Sequence, residues 1–162
     1  MTGITHIGLT VPDIDAAVEW YTEVLDFELL AGPFTAKAEQ TDDASTNMTM
    51  DLLGEEVKEM RNAHLTTGNQ VGLELFEFVD PRPGPQESPP WQQRFFHLCL
   101  LVPGIEETAA RIEAEGGKQR SRIWNPREGK PYRLVYMEDP FGNIIELYSH
   151  STEVTYGNMD SD

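Results

Sequence analysis

The feature that most constrains this fold is an internal repeat. Residues 4–11 alternate in polarity and are rich in β-branched side chains, which predicts a strand. Residues 95–102 repeat that pattern, and His97 takes the place that His6 has in the first copy. In each copy a proline ends the strand, and a pattern typical of a helix follows. Two copies of one supersecondary unit predict two modules with the same topology.

In the first copy, the later strands bring a glutamate onto an aromatic face. Residues 61–67 and 71–79 predict a hairpin around the Gly-Asn pair at 68–69. Strand alternation then puts Glu74 on one face together with two phenylalanines. Residues 48–53, ahead of this hairpin, are expected to form another short strand.

The second copy ends in a motif, Asp-Pro-Phe-Gly-Asn-Ile-Ile-Glu-Leu at residues 139–147, that predicts a hairpin. Proline fixes one φ angle and Gly and Asn tolerate a positive one, so the flanks at 133–137 and 144–148 are expected to pair. Glu146 is the one carboxylate inside the second strand, where it needs a partner. Each copy therefore predicts a strand, a helix and further strands, and the fold class is α+β with two tandem βαβββ modules.

Proline content and composition predict the domain boundaries. Residues 1–80 are expected to form the first module and residues 95–150 the second. Residues 81–94 are rich in proline and lack periodicity, which predicts a linker. Residues 151–162 are polar and acidic and predict a tail that is loose at its end.

The charge balance limits the partners of this chain. Twelve basic and 28 acidic residues give a net charge of −16, which argues against nucleic acid or an anionic membrane as a partner. No apolar run approaches the roughly 20 residues that span a bilayer, and no leader pattern opens the chain, so a cytoplasmic protein is expected. Cys99 is the single cysteine, and its leucine neighbours predict a small buried hydrophobic side chain instead of a nucleophile.

The repeat singles out four residues with matching positions in the two copies. They are two histidines and two glutamates: His6, Glu74, His97 and Glu146. A single histidine or glutamate in a strand is usually structural or solvated, and the repetition is what favours a site here. Two imidazoles and two carboxylates suit a borderline divalent metal ion such as Zn, Ni, Co, Fe or Mn.

These motifs also support a family resemblance. The His-Ile-Gly-Leu-Thr-Val start, the Gly-Leu-Glu-Leu-Phe-Glu-Phe strand, the Phe-His-Leu-Cys-Leu-Leu-Val repeat and the Asp-Pro-x-Gly-Asn-x-x-Glu-Leu motif resemble the vicinal oxygen chelate superfamily. That superfamily includes glyoxalases, bleomycin resistance proteins and extradiol dioxygenases. The resemblance covers residues 4–149 and implies two βαβββ modules whose curved mixed sheets enclose a cavity.

The resemblance also implies a ligand set and a reaction. It makes His6, Glu74, His97 and Glu146 the metal ligands, with Glu146 as the general base and Glu74 as its counterpart. The metal would chelate neighbouring oxygens of a small-molecule substrate and stabilise an enediolate or enolate. A metal-dependent lyase or isomerase of glyoxalase type, similar to lactoylglutathione lyase, is the leading hypothesis, and a homodimer is expected.

Two departures leave the substrate open. Glutathione-binding members place an arginine where this chain has Thr10 and an asparagine where it has residues 76–78, so the glutathione contacts are missing. An epimerase of the superfamily is an alternative, although its relatives with a known start motif carry glutamine at the position of Glu74. An extradiol-type dioxygenase and a metal-free protein that binds a small molecule such as an antibiotic are further alternatives.

Other basic side chains are weaker candidates. With a two-residue turn at 68–69, His64 would pair with Leu73 and point away from Glu74, whereas a different turn length would reverse this. Four arginines are the positive charges expected to reach a cavity in so acidic a chain: Arg61, Arg120, Arg122 and Arg133.

Overall fold

The computed structural model describes residues 1–40, 44–84 and 95–157. The chain forms two compact units, Met1–Glu87 and Ser88–Asp162, hereafter unit 1 and unit 2. None of the helices within the described ranges has the length and apolar character that crossing a bilayer requires.

Unit 1 contains one four-stranded sheet and two helices. Its elements are β1 (His6–Thr10), α1 (Ile14–Leu25), β2 (Glu28–Lys37), α2 (Ala44–Leu53), β3 (Glu59–Thr66) and β4 (Gly72–Asp80). The strand order is β1-β4-β3-β2, with β1 parallel to β4 and the other pairs antiparallel.

Unit 2 repeats this strand order. Its elements are β5 (His97–Leu101), α3 (Ile105–Ala114), β6 (Lys118–Gln119), β7 (Leu134–Glu138), β8 (Ile144–Tyr148) and α4 (Thr152–Tyr156). The order is β5-β8-β7-β6, and β5 is parallel to β8. The predicted fold class, α+β with two tandem βαβββ modules, is therefore confirmed, and neither mixed sheet is closed.

Helix α1 shows how the sequence covers one face of a sheet. It begins after Asp13, whose side chain accepts a hydrogen bond from the backbone N–H of Ala16 at 3.1 Å. It ends at Asp26, which adopts a left-handed conformation with φ of 57°. The buried helix residues, such as Ile14 and Tyr21, pack against β2, β3 and β4. The opposite face of the sheet is thus left for polar groups.

Two segments differ from the sequence predictions. Residues 48–53, expected as a strand, lie in helix α2, where Met and Leu are good helix formers. Helix α4 lies within the predicted tail of 151–162. Residues 85–94 of the predicted linker and residues 158–162 lie outside the described part of the chain, and the boundaries of the linker and the tail stay predictions.

The β3–β4 hairpin has a register that the simplest sequence prediction missed. Thr67 and Val71 close the loop through backbone and side-chain hydrogen bonds, and Gln70 within it has φ of 65°. The loop therefore holds three residues, and Gln70 takes the left-handed position of a bulged turn. Because register shifts by one residue, His64 pairs with Glu74 and lies on its face. The prediction that His64 points away was wrong.

The β7–β8 turn is organised by one buried carboxylate. Asp139 is 2% exposed, and its Oδ1 accepts hydrogen bonds from the backbone N–H groups of Phe141 and Asn143 at 2.9 and 2.7 Å. Its Oδ2 accepts a hydrogen bond from the Asn143 side chain at 2.9 Å. Gly142 supplies the positive φ, 91°, that the turn requires. This turn fixes the start of the strand that carries Glu146.

We predict that Asp139→Ala lowers the free energy of unfolding by about 3 kcal/mol, because it leaves two buried backbone N–H groups without acceptors. Urea denaturation followed by far-ultraviolet circular dichroism measures the loss. Asp139→Asn is the matched control, since it keeps an acceptor at the Oδ1 position and should lose about half as much. Equal losses in the two variants would contradict this account of the turn.

Candidate metal site

In unit 1, strand pairing brings one predicted ligand next to another. Glu74 on β4 lies across from Gly8 on β1, and His6 lies across from Gly72. His6 Nε2 is 3.6 Å from Glu74 Oε2. A Cβ at Gly72 would stand 2.9 Å from the His6 Cβ, so the absence of a side chain there lets the imidazole reach over the neighbouring strand.

Unit 2 contains the equivalent pair. His97 on β5 lies across from Ile144, two residues before Glu146 on β8, as His6 lies across from the residue two before Glu74. His97 Nε2 is 3.3 Å from Glu146 Oε2. The pair in unit 2 is less exposed, because the side chains of His97 and Glu146 are 28% and 6% exposed, compared with 56% and 17% for His6 and Glu74.

Glu146 is held by proton donors on two neighbouring strands. Tyr136, its cross-strand partner on β7, donates a hydrogen bond to it. That hydrogen bond, followed by burial, raises the pKa of the Tyr136 hydroxyl to about 12. Cys99, its partner on β5, also hydrogen-bonds to the carboxylate. The buried carboxylate is therefore surrounded by groups that keep their protons at neutral pH.

The prediction that Cys99 is a buried hydrophobic residue was wrong. The residue is exposed, and it lies on the face of the sheet that carries Glu146. Burial of the thiol, followed by the charge of Glu146, raises the pKa of Cys99 to about 12. The group stays a thiol at neutral pH, as expected for a residue that is not a nucleophile.

Glu74 has different neighbours, which the sequence analysis missed. His64 Nε2 lies 3.6 Å from Glu74 Oε1, and the Asn62 amide donates to the same oxygen at 3.3 Å. Asn62 Nδ2 also lies 3.2 Å from His64 Nε2. The available signal was the strand alternation of 62 and 64, which joins the face of Glu74 once the loop is given three residues.

The four candidate arginines are mostly engaged elsewhere. Arg61 binds Asp15 at 2.8 and 2.9 Å and Glu77 at 3.3 Å on the helix side of its sheet. The remaining partners are as follows: Arg120 pairs with Glu138, Arg133 pairs with Glu106, and Arg122 lies over the Trp124 ring, 3.5 Å from its centroid. These contacts account for their positions without a ligand.

Each histidine–glutamate pair has a spacing that suits a metal ion. Nitrogen and oxygen ligands bind at about 2.0–2.2 Å, which places neighbouring donors about 3.0–3.5 Å apart. The nitrogen–oxygen distances here are 3.6 Å in unit 1 and 3.3 Å in unit 2. Among residues 1–40, 44–84 and 95–157, no group of three or more His, Cys, Asp or Glu side chains is arranged to hold a metal ion. Each unit thus supplies a pair of donors.

Comparison with known proteins identifies the family. The family model described as the glyoxalase/bleomycin resistance protein/dioxygenase superfamily matches residues 3–147. The chain belongs to this superfamily. The predicted resemblance is confirmed, and the match covers both modules and all four candidate ligands.

Two characterised relatives of this superfamily member are enzymes. The chain is 32% identical over 152 residues to a 2-epi-5-epi-valiolone epimerase from Actinomyces sp, and the match covers 89% of this chain and 77% of the relative. It is 26% identical over 159 residues to a lactoylglutathione lyase from Pseudomonas putida, with 88% and 82% covered.

A solved structure supports the fold of this superfamily member. The crystal structure of a glyoxalase family protein from Bacillus cereus matches with a TM-score of 0.71 and 18% sequence identity, over 91% of this chain and 93% of that chain. At this identity the likeness concerns the fold alone.

We predict that Tyr136→Phe lowers the free energy of unfolding by about 2 kcal/mol, because the buried Glu146 carboxylate loses a hydrogen bond. Tyr156→Phe is the control: it removes a hydroxyl that lies 2.7 Å from the Tyr148 hydroxyl, a contact between neutral groups, and should cost about 1 kcal/mol or less. Urea denaturation without added metal measures both, and a larger loss for Tyr156→Phe would contradict the assignment.

Proposed function

We propose that this chain is a divalent-metal-dependent epimerase that moves a proton at the carbon next to a carbonyl group. The observation that carries the proposal is the presence of two equivalent histidine–glutamate pairs at matching positions of two modules. The enzyme names of both relatives support the enzyme class.

The metal would be held by two donors from each unit: His6, Glu74, His97 and Glu146. This set suits Zn, Ni, Co, Fe or Mn, because imidazole and carboxylate bind all of them. When bound, the ion supplies a positive charge that stabilises the negative charge developing on the carbonyl oxygen of the substrate. Because a pair from one unit leaves a metal shell incomplete, both pairs are needed in the working protein.

The two carboxylates provide the proton transfer. Epimerisation removes a proton from one face of a carbon and returns one to the other face, so it uses two groups that accept and donate protons. Glu146 is assigned as the base, with Tyr136 and Cys99 fixing the carboxylate by hydrogen bonds. Glu74 is its counterpart from the other module. Burial of Glu146 keeps water away from the reacting proton.

Substrate features favour epimerisation over the glyoxalase reaction. Thr10, Phe76 and Phe78 stand where a glutathione-binding protein needs polar contacts, and the match to the epimerase is the stronger of the two in identity. The proposed substrate is therefore a hydroxylated ketone without glutathione. The second candidate function is a glyoxalase-type lyase or isomerase, as the match to the lactoylglutathione lyase suggests. The homodimer stays a prediction.

We predict that the protein purified without chelator carries about one equivalent of divalent metal, measured by inductively coupled plasma mass spectrometry. Glu74→Gln and Glu146→Gln should each weaken metal affinity at least about 100-fold, measured by calorimetry on the stripped protein. Glu106→Gln, which makes the same charge change at a side chain that is 59% exposed, is the matched control and should bind metal normally.

Less than about 0.1 equivalent of metal, together with no effect of Glu146→Gln on affinity, would overturn the metal-dependent proposal. That result would favour the metal-free binding protein as the function of this chain. Retained affinity in Glu74→Gln alone would remove that residue from the proposed ligand set and leave the other three.

We predict that the metal-loaded protein, incubated with 2-epi-5-epi-valiolone in D₂O, incorporates deuterium at the carbon next to the ketone and forms an epimer, as followed by NMR. Glu146→Gln should slow the exchange at least about 100-fold, because a general base is removed. Glu106→Gln should retain the wild-type rate. Exchange into S-lactoylglutathione instead would support the lyase candidate, and no exchange into either compound would contradict both.

A further inference from the structure

The neighbours of Glu74 form a small hydrogen-bonded cluster on the open face of the unit 1 sheet. Asn62 and His64 alternate on β3, and His64 is the direct partner of Glu74 on β4. The Asn62 amide nitrogen lies 3.3 Å from Glu74 Oε1 and 3.2 Å from His64 Nε2. One amide group therefore touches both ionisable side chains.

The carboxylate fixes the orientation of the amide. Glu74 Oε1 can only accept a hydrogen bond when the carboxylate is ionised, so the Asn62 atom beside it must be the NH₂ group and not the carbonyl oxygen. An NH₂ group has two hydrogens, and the second points to His64 Nε2 at 3.2 Å. Because the amide donates, Nε2 must accept, and an imidazole that accepts at Nε2 carries its proton on Nδ1.

The proton on Nδ1 is left available. His64 has its contacts with Asn62 and Glu74 through Nε2, and no described residue bonds to its Nδ1. The imidazole is 44% exposed, whereas the Glu74 side chain behind it is 17% exposed. The face of β3 and β4 thus presents one free N–H donor next to the candidate metal pair.

The second module has no such donor at the matching position. Tyr136 on β7 pairs with Glu146 as His64 pairs with Glu74. The Tyr136 hydroxyl is committed to Glu146 by its own hydrogen bond. The two halves of the site therefore differ: one polar partner is turned inward to its glutamate, and the other keeps a donor for a ligand.

We propose that Asn62 is a positioning residue that holds His64 in the Nδ1–H tautomer, and that His64 donates this hydrogen to an oxygen substituent of the substrate. The inference rests on the proposed function, since it needs a substrate on this face. It narrows the substrate class to molecules that carry an acceptor oxygen near the reacting carbon, as a polyhydroxylated ketone does. His64 thereby selects the substrate, while Glu74 and Glu146 perform the proton transfer.

The tautomer is tested without substrate. Two-bond ¹⁵N–¹H correlation spectra of the full-length, ¹⁵N-labelled protein, assigned with His64→Gln, should show the proton of His64 on Nδ1. Asn62→Ala should shift the His64 signals toward a mixture of tautomers, and Asn62→Asp, which can only accept, should move the proton to Nε2. His150, whose Nδ1 lies 2.8 Å from Ser149 Oγ, is the internal control and should not change.

The donor role is tested by affinity. Calorimetry of 2-epi-5-epi-valiolone on the metal-loaded protein should show about tenfold weaker binding for His64→Leu, because one hydrogen bond is lost. His64→Asn places an amide N–H close to the position of Nδ1 and should stay within about threefold of the wild type. His150→Leu is the matched control at a histidine outside the site, and it should bind normally.

Distinct outcomes separate this inference from the proposed function. A proton on Nε2 in the wild type, or unchanged affinity in His64→Leu, would overturn the inference even if the epimerase activity is found. The absence of ligand binding by the wild type would overturn the donor role for this substrate class. Tight binding without proton exchange would leave His64 as the donor and contradict the proposed reaction.

Discussion

The structure depends on the cost of placing a carboxylate inside a sheet. Glu146 is 5% exposed and lies between Ile145 and Leu147, which are 1% and 0% exposed. A buried charge is tolerated only with partners, and here an imidazole, a phenol and a thiol supply them from the two adjoining strands. The strand order that places β5 and β7 on either side of β8 is what brings these partners together. Fold and site are thus one arrangement.

Local chemistry explains why much of this fold could be predicted from the sequence. The β8 strand and the turn before it follow from a proline, a positive-φ glycine and an aspartate whose acceptors bind the turn, all within a few residues. Helix α1 follows from its Asp13 cap and apolar spacing. The two candidate pairs follow from the repeat, because equal topology places equal positions side by side.

The missed features depend on single residues or on tertiary neighbours. The turn residue Gln70 adopts φ of 65°, which a glutamine does not announce, and this one extra residue moves His64 to the other face of the sheet. Cys99 sits in an apolar run that suggests burial, yet its strand lies at the sheet edge, so the residue is exposed. Neither outcome is encoded in local pattern, because both depend on which strand pairs with which.

The unequal surroundings of the two glutamates argue for unequal roles. Duplication gives both modules the same backbone and the same histidine–glutamate pair, but the cross-strand partner is a phenol in one and an imidazole in the other. A phenol whose pKa is about 12 can only hold a carboxylate in place at neutral pH. An imidazole beside an amide can instead offer a hydrogen to a ligand. A symmetric scaffold thereby acquires the handedness that a reaction at one stereocentre requires, since the two faces of the substrate meet chemically different groups.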